Sequence, residues 1–178
     1  MHIYLARNCR TNYDDLGLWN DDPSVDVHLT MHGIEQAKEL SGAVKYTPLD
    51  AIFASEQPRS QHTATIVAQA HSLEVVVEPL LNDHRSGFEG LPTSELLQAL
   101  EHTPNRWTAR LNNGESIEDM KARVAQFLDT LKTSNHEYVL IVSSEWVIRA
   151  ALATLKGLSN EDAWTTTLDQ GDFIEVVM

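Results

Sequence analysis

The residues that could do chemistry lie in three polar segments, each of which directly follows an apolar run. The segments are Arg7-Asn8-Cys9-Arg10, Ser55–Arg59 and Ser143–Glu145. Arginine is the side chain best suited to bidentate contacts with phosphate or carboxylate groups. A cysteine flanked by two arginines is a candidate nucleophile, because the neighbouring charges would lower the pKa of its thiol. The three segments therefore allow anion binding or nucleophilic attack if the fold brings them together.

The surrounding elements are predicted from hydrophobic patterning. Short apolar runs that predict buried strands are Ile3–Ala6, Ala51–Ala54, Val75–Val77 and Tyr138–Ser143, with Phe173–Met178 as a closing strand. Helical spacing predicts helices over 31–45, from Pro58 to His71, over 117–133 and over Trp146–Lys156. Thr30 is a predicted N-cap, Ser116 and Asp119 form a predicted capping box, and Gly157 is the predicted stop of the last helix.

Strands that alternate with helices predict an α/β fold, a three-layer sandwich with a mostly parallel central sheet and helices on both faces. Ligands of such sheets bind at the carboxyl ends of the strands, where all three polar segments are expected to lie. We predict a single domain over 1–178, in which 79–115 is an irregular, cap-like insertion, although Ser94–His102 could be helical.

Composition excludes several classes of function. The chain has 178 residues and a formal net charge of −13, with 13 basic residues against 26 acidic ones. A field of this sign repels nucleic acid and anionic lipid, so neither is an expected partner. The single cysteine excludes an intramolecular disulfide, and neither a leader segment nor a membrane span is recognised, so a cytoplasmic location is expected.

Five further motifs follow Arg7-Asn8-Cys9-Arg10-Thr11 along nearly the whole chain. They are Leu29-Thr30-Met31-His32-Gly33-Ile34-Glu35-Gln36-Ala37, the segment from Ser55 through Arg59 to Thr63-Ala64, Phe88-Glu89-Gly90, Gly114-Glu115-Ser116, and Val142-Ser143-Ser144-Glu145 with Ile148-Arg149-Ala150. Together and in this order they resemble the histidine phosphatase (phosphoglycerate mutase-like) superfamily. The resemblance implies the α/β fold predicted above.

The resemblance also implies a chemistry, most of which this chain lacks. In that superfamily a histidine attacks phosphorus, two arginines and a second histidine hold the phosphoryl oxygens, and a carboxylic acid protonates the leaving oxygen. Arg7 and Arg59 match the two arginines. Asn8 stands in place of the nucleophile, Ser144 in place of the second histidine and Glu145 in place of a glycine.

The acid position is open between two residues. Counting back without a gap from Phe88 gives Asn82, and a shift of one residue gives Asp83, which we favour. No intact catalytic set is expected, since Asn8, Ser144 and Asp83 occupy degenerate positions. The resemblance assigns phosphate binding to Arg7 and Arg59, and we add Arg10, Asn8 and Ser144 as candidates. No metal or cofactor is expected, and His28 and His32 suggest a metal pair only loosely.

Three functions stay open. The first is a catalytically inactive protein that binds a phosphorylated or other anionic small molecule, or acts as a regulatory module. The second is a protein-interaction module with a vestigial pocket and an unknown partner, which pairing of Glu145 with the arginines would favour. The third is an active phosphomonoesterase that uses a non-standard residue such as Cys9. His62 and His84 are interpreted as exposed or structurally bonded histidines, and the four tryptophans as core or pocket wall.

Overall fold

The computed structural model describes all 178 residues. Its five strands are β1 (His2–Arg7), β2 (Ala51–Ala54), β3 (Val75–Val77), β4 (Tyr138–Ser143) and β5 (Phe173–Val177). Its seven helices are α1 (Asn12–Leu16), α2 (Met31–Ala43), α3 (Pro58–His71), α4 (Thr93–Glu101), α5 (Ile117–Lys132), α6 (Glu145–Lys156) and α7 (Asn160–Thr165). The alternation of strands and helices confirms the predicted α/β fold.

All five strands join one sheet in the order β3-β2-β4-β1-β5. The β1–β4, β2–β4 and β2–β3 pairs are parallel, and β5 runs antiparallel to β1 at one edge. Arg7 is in register with Ser143 at the carboxyl ends of β1 and β4. The loops that follow these two central strands therefore start side by side.

The sheet is covered on both faces, which explains why its central strands are continuous apolar runs. In β1, Ile3 and Leu5 belong to one buried cluster, which is built mainly with α5 and α6, whereas Tyr4 and Ala6 belong to a second cluster on the other face. The second cluster contains buried residues of α2 and α3. Because successive side chains of a strand point to opposite faces, each central strand contributes to both clusters.

The helix signals of the sequence are confirmed in detail. The Thr30 hydroxyl accepts a hydrogen bond from the Gly33 amide, and Ser116 and Asp119 form a reciprocal capping box. Gly157 ends α6 with a positive φ of 62°. Two helices were not predicted, α1 and α7, because at five and six residues they are too short to show a helical period.

The segment 79–115 contains a 3-10 turn at Pro79–Leu81 and helix α4, and otherwise consists of loops and turns. Near the end of this segment the backbone at Gly114 packs closely against the backbone at Arg85. A Cβ atom on Gly114 would lie 2.2 Å from the Arg85 carbonyl oxygen, so the position requires glycine. No helix of the chain combines the length and the apolar character needed to cross a lipid bilayer.

Candidate functional site

A cavity of about 170 Å³ opens at the carboxyl ends of β1 and β4. It collects residues from all three polar segments of the sequence, as predicted for a sheet of this topology. Its wall consists of Arg7, Asn8, Thr11, Tyr13, Asp14, Leu18, Trp19, Asn20, Val27, Arg59, Asp83, Thr93, Ser144, Glu145, Trp146 and Gln170. No histidine is among them.

Asn8 and Ser144 are held side by side because β1 and β4 are neighbours. The Asn8 backbone amide donates to the Ser143 carbonyl at 2.8 Å, and the Asn8 side-chain amide donates to the Cys9 carbonyl at 3.1 Å. Ser144 is the N-cap residue of α6, yet its hydroxyl caps no backbone amide. This hydroxyl is buried without any hydrogen-bond partner, in a residue that is 8% exposed. An amide and an unpaired hydroxyl thus occupy the floor of the cavity.

Arg7 is neutralised by a carboxylate of the same cavity. Arg7 Nη1 lies 3.1 Å from Glu145 Oε2 and donates to the Leu168 carbonyl at 2.7 Å. The other oxygen of Glu145 accepts from Arg149 Nη2 at 2.7 Å, one helical turn further along α6. Burial lowers the pKa of Arg149, and the neighbouring Glu145 charge opposes this effect. Glu145 therefore bridges two arginines, as a bound anion would.

Arg59 also pairs with a carboxylate, and this ion pair is more buried than the pair between Arg7 and Glu145. Its Nη2 donates to Asp83 Oδ2 at 3.0 Å and to the Asn20 carbonyl at 3.1 Å, and its Nη1 donates to the Asn20 side chain. The side chains of Arg59 and Asp83 are only 7% and 8% exposed. Of the two candidates for the acid position, Asp83 lines the cavity, whereas the Asn82 side chain bonds to Glu56.

Arg10, predicted as a third phosphate-binding arginine, points elsewhere. Its Nε donates to Asp15 at 2.6 Å in an exposed ion pair, and it does not line the cavity. The reason is local: Asp15 lies on the exposed side of the short, unpredicted helix α1 and captures the guanidinium there. The structure thus brings together Arg7, Arg59, Asn8 and Ser144 of the predicted set, but not Arg10.

The geometry of Cys9 does not favour the alternative in which its thiol is a nucleophile. The residue is fully buried, its amide donates to the Thr63 hydroxyl at 3.2 Å, and it packs with Leu29 and Ala37. Burial raises the pKa of the Cys9 thiol to about 11. Arg7 and Arg10 pair with Glu145 and Asp15 instead, so their charges do not offset the desolvation of the thiol.

The two histidines considered as surrogates do not line the cavity either. His62 is exposed on α3. His84 is buried, with Nε2 at 2.8 Å from the Glu115 carbonyl oxygen and its ring stacked on Trp146 at a centroid distance of 5.3 Å. Burial lowers the pKa of His84. Furthermore, no group of three or more His, Cys, Asp or Glu side chains is placed to hold a metal ion.

Sequence reasoning missed several residues of the wall. Trp19 and Trp146 meet edge to face at a centroid distance of 4.8 Å, and Trp19 donates its indole N–H to Asp21. These two tryptophans belong both to the hydrophobic core and to the cavity wall, so both parts of the prediction for the tryptophans hold here. Asn20, Thr93 and Gln170 reach the cavity from loops or from the start of a helix, where no hydrophobic period signals a position.

The whole chain matches a known family. The model of the histidine phosphatase superfamily (branch 1) covers residues 3–178. The chain belongs to the histidine phosphatase superfamily. Its three-layer architecture with a mostly parallel sheet is that of the phosphoglycerate mutase-like members.

Several proteins that are named as phosphatases are similar to this chain over most of their length. The crystal structure of the alpha-ribazole phosphatase from Shigella flexneri superposes with a TM-score of 0.86 at 30% identity, over 100% of this chain and 91% of that one. The adenosylcobalamin/alpha-ribazole phosphatase of Escherichia coli is 30% identical over an alignment that covers 96% of this chain and 87% of the relative. Phosphoserine phosphatase 1 of Hydrogenobacter thermophilus is 25% identical, covering 99% and 86% respectively.

Proposed function

We propose that this protein is a catalytically inactive histidine phosphatase, a pseudoenzyme that acts as a binding or regulatory module. The observation that carries the proposal is the cavity floor, where Asn8 and Ser144 stand at the two positions that the family resemblance assigns to histidines. The nitrogen lone pair of an amide is delocalised into its carbonyl, so Asn8 cannot attack phosphorus. A serine hydroxyl carries no positive charge with which to stabilise a phosphoryl transition state.

The paired arginines support the same conclusion. Phosphoryl transfer depends on cationic groups that are free to stabilise the equatorial oxygens. Here Glu145 bridges Arg7 and Arg149, and Asp83 holds Arg59. A phosphorylated ligand would have to displace a carboxylate from at least one of them. This pairing favours the interpretation of the cavity as a vestige of a phosphate site over the interpretation of it as a working one.

The relatives supply the context for this proposal. Those described above are named as phosphatases of phosphoserine and of alpha-ribazole compounds, which supports the origin of this cavity in a site for a phosphorylated small molecule. The similar fold alone does not carry the activity over, because function resides in the site and this site differs. We further expect the protein to act in the cytoplasm, since its only cysteine is a free thiol.

The proposal is tested by turnover of 4-nitrophenyl phosphate by the full chain across pH and divalent metals. We expect no activity above buffer and no phosphorylated protein in acid-quenched samples. Cys9→Ser is assayed in parallel, because turnover that is lost in this variant would establish a cysteine phosphatase. Detection of a phosphorylated residue on the wild-type chain would overturn the proposal.

A restored variant provides the positive control. Asn8→His, Ser144→His and Glu145→Gly together should leave the protein folded, because all three positions lie at strand ends or in the first turn of a helix. Circular dichroism would check the fold. Measurable turnover in this variant, set against an inert wild type, would show that inactivity resides in these side chains.

A further inference from the structure

Both arginines that line the cavity are already paired with carboxylates. Arg7 pairs with Glu145, and Arg59 pairs with Asp83. The remaining carboxylate, Asp14, accepts hydrogen bonds from the Thr11 amide and hydroxyl and so belongs to the capping box of α1. No arginine of the wall therefore offers an unbalanced positive charge to a ligand. A dianion would have to break a partly or fully buried ion pair on entry.

Uncharged hydrogen-bonding groups, in contrast, are available. Ser144 lines the cavity, and its hydroxyl oxygen is buried without a hydrogen-bond partner. This hydroxyl accepts no hydrogen bond from the backbone amides in the first turn of α6. Asn8 uses its amide N–H on the Cys9 carbonyl, which leaves its own oxygen to accept from a ligand. Thr93 and Gln170 add further polar groups to the wall. A buried hydroxyl without a hydrogen-bond partner is unfavourable unless a ligand or a water molecule forms a hydrogen bond with it.

Three aromatic side chains also line the cavity. Trp19, Trp146 and Tyr13 line the same cavity, and the two indoles are fixed edge to face. Aromatic rings pack against the C–H face of a polyhydroxylated ring, while amides and hydroxyls bond to its edges. The volume of about 170 Å³ limits the occupant to a small molecule. Arginines that are already paired, neutral hydrogen-bonding groups without a protein partner, and aromatic side chains thus describe one ligand class.

We propose that the cavity binds an uncharged small molecule with several hydroxyl groups, and that Glu145 excludes the phosphorylated form of that molecule. Glu145 is the specificity-determining residue because it supplies, from within the chain, the negative charge that a phosphate would otherwise bring to Arg7 and Arg149. The inference rests on the proposed function, since it takes the cavity to be a binding site without phosphate hydrolysis.

The experiment uses matched sugar pairs that differ only in a phosphate group. D-ribose is compared with ribose 5-phosphate, and D-glucose with glucose 6-phosphate, by saturation-transfer NMR and calorimetry on the full chain. For the wild type we expect binding of at least one neutral sugar, and affinity at least about tenfold lower for its phosphate, the ratio that one additional unpaired charge produces near a protein surface.

Two variants at Glu145 and one control then test the residue. Glu145→Ala and the closer-fitting Glu145→Gln should reverse the preference, raising affinity for the sugar phosphate at least about tenfold. Asp15→Ala makes the same change in net charge and frees Arg10 outside the cavity, so it should leave both affinities unchanged. Thermal unfolding of each variant checks the fold, and Glu145→Gln keeps the test valid if Glu145→Ala fails to fold.

Two results would overturn the inference: tighter binding of the sugar phosphates than of the neutral sugars by the wild type, or no binding of any neutral sugar. Neither result bears on the absence of turnover. Hydrolysis of a sugar phosphate by the wild type, in contrast, would refute the proposed function itself. The two failures are therefore distinguishable in the same samples.

Discussion

The Arg59–Asp83 pair is the contact whose removal should reveal most about the cavity. Arg59 Nη2 and Asp83 Oδ2 are 3.0 Å apart, and both side chains are less than a tenth exposed. Asp83→Ala leaves a buried guanidinium without its counter-charge. Removing one partner of a buried pair typically costs about 3–5 kcal/mol of unfolding free energy.

The structure places this variant near the lower end of that range. Arg59 keeps two acceptors on Asn20, the backbone carbonyl and the side-chain oxygen, so its hydrogen bonds are not all lost. We therefore expect a loss of about 3 kcal/mol, which for a domain of this size lowers Tm by about 6–12 °C. Urea unfolding measures the loss directly, provided that the denaturant slope m is the same in variant and wild type.

An added anion should restore part of this loss. In Asp83→Ala, inorganic phosphate can take the place of the missing carboxylate beside Arg59, because the site opens into the cavity. A ligand at 100 times its dissociation constant stabilises the folded state by about 2.7 kcal/mol. Phosphate should therefore raise Tm of Asp83→Ala clearly more than it raises Tm of the wild type.

The Glu115–Arg123 pair is the matched control. It is also largely buried, with an N···O distance of 2.6 Å, but it does not line the cavity. Glu115→Ala should destabilise the protein to a similar extent without a comparable response to phosphate. A loss below 1 kcal/mol in Asp83→Ala, or equal stabilisation of both variants by phosphate, would refute the idea that Asp83 occupies an anion cradle.

Two further predictions concern packing and protonation. Gly33→Ala should lower the free energy of unfolding by about 1–3 kcal/mol, because its Cβ atom would lie 2.1 Å from the Arg10 carbonyl oxygen. Gly42→Ala in the same helix is the control: its Cβ atom would meet no atom within 4 Å, so the free energy of unfolding should rise by about 0.5–1 kcal/mol. Urea unfolding measures both changes. Burial lowers the pKa of His84 in the folded protein, so the unfolded chain takes up a proton at higher pH than the folded one. The free energy of unfolding should therefore decrease as the pH falls below 6.5. In unfolding curves measured between pH 7.5 and 5.5, His84→Phe should show a smaller decrease than the wild type.

The central strands β1, β2 and β4 were predictable because each is an apolar run that is buried on both faces. The prediction that Val75–Val77 is a buried strand is wrong in its burial, because β3 lies at the edge of the sheet and leaves Val76 and Val77 exposed. The runs Ala51–Ala54, Val75–Val77 and Tyr138–Ser143 match β2, β3 and β4 residue for residue. The long amphipathic helices carry caps that can be recognised locally, such as Ser116 with Asp119. Helices α1 and α7 were missed because they are one to two turns long and are held by caps rather than by an apolar face.

The positions of site residues were more predictable than their partners. Parallel topology places Arg7, Asn8 and Ser144 at one edge of the sheet, so their proximity follows from the strand pattern. The direction of a side chain depends on contacts that the pattern does not contain. Arg10 turns to Asp15 on the unpredicted helix α1. Cys9 turns into the core, where burial acts on its pKa more strongly than the charges adjacent in sequence.

Glu145 shows how a site of this kind can change its charge and keep its fold. As the first residue of α6 it stands where the helix dipole favours a carboxylate, and it also forms an i,i+4 pair with Arg149 and an ion pair with Arg7. Both arginines also form hydrogen bonds within the protein, since Arg7 donates to the Leu168 carbonyl and Arg59 donates to the Asn20 carbonyl. Retention of two arginines therefore does not by itself imply a phosphate ligand, because each stabilises a loop of this chain whether or not an anion binds.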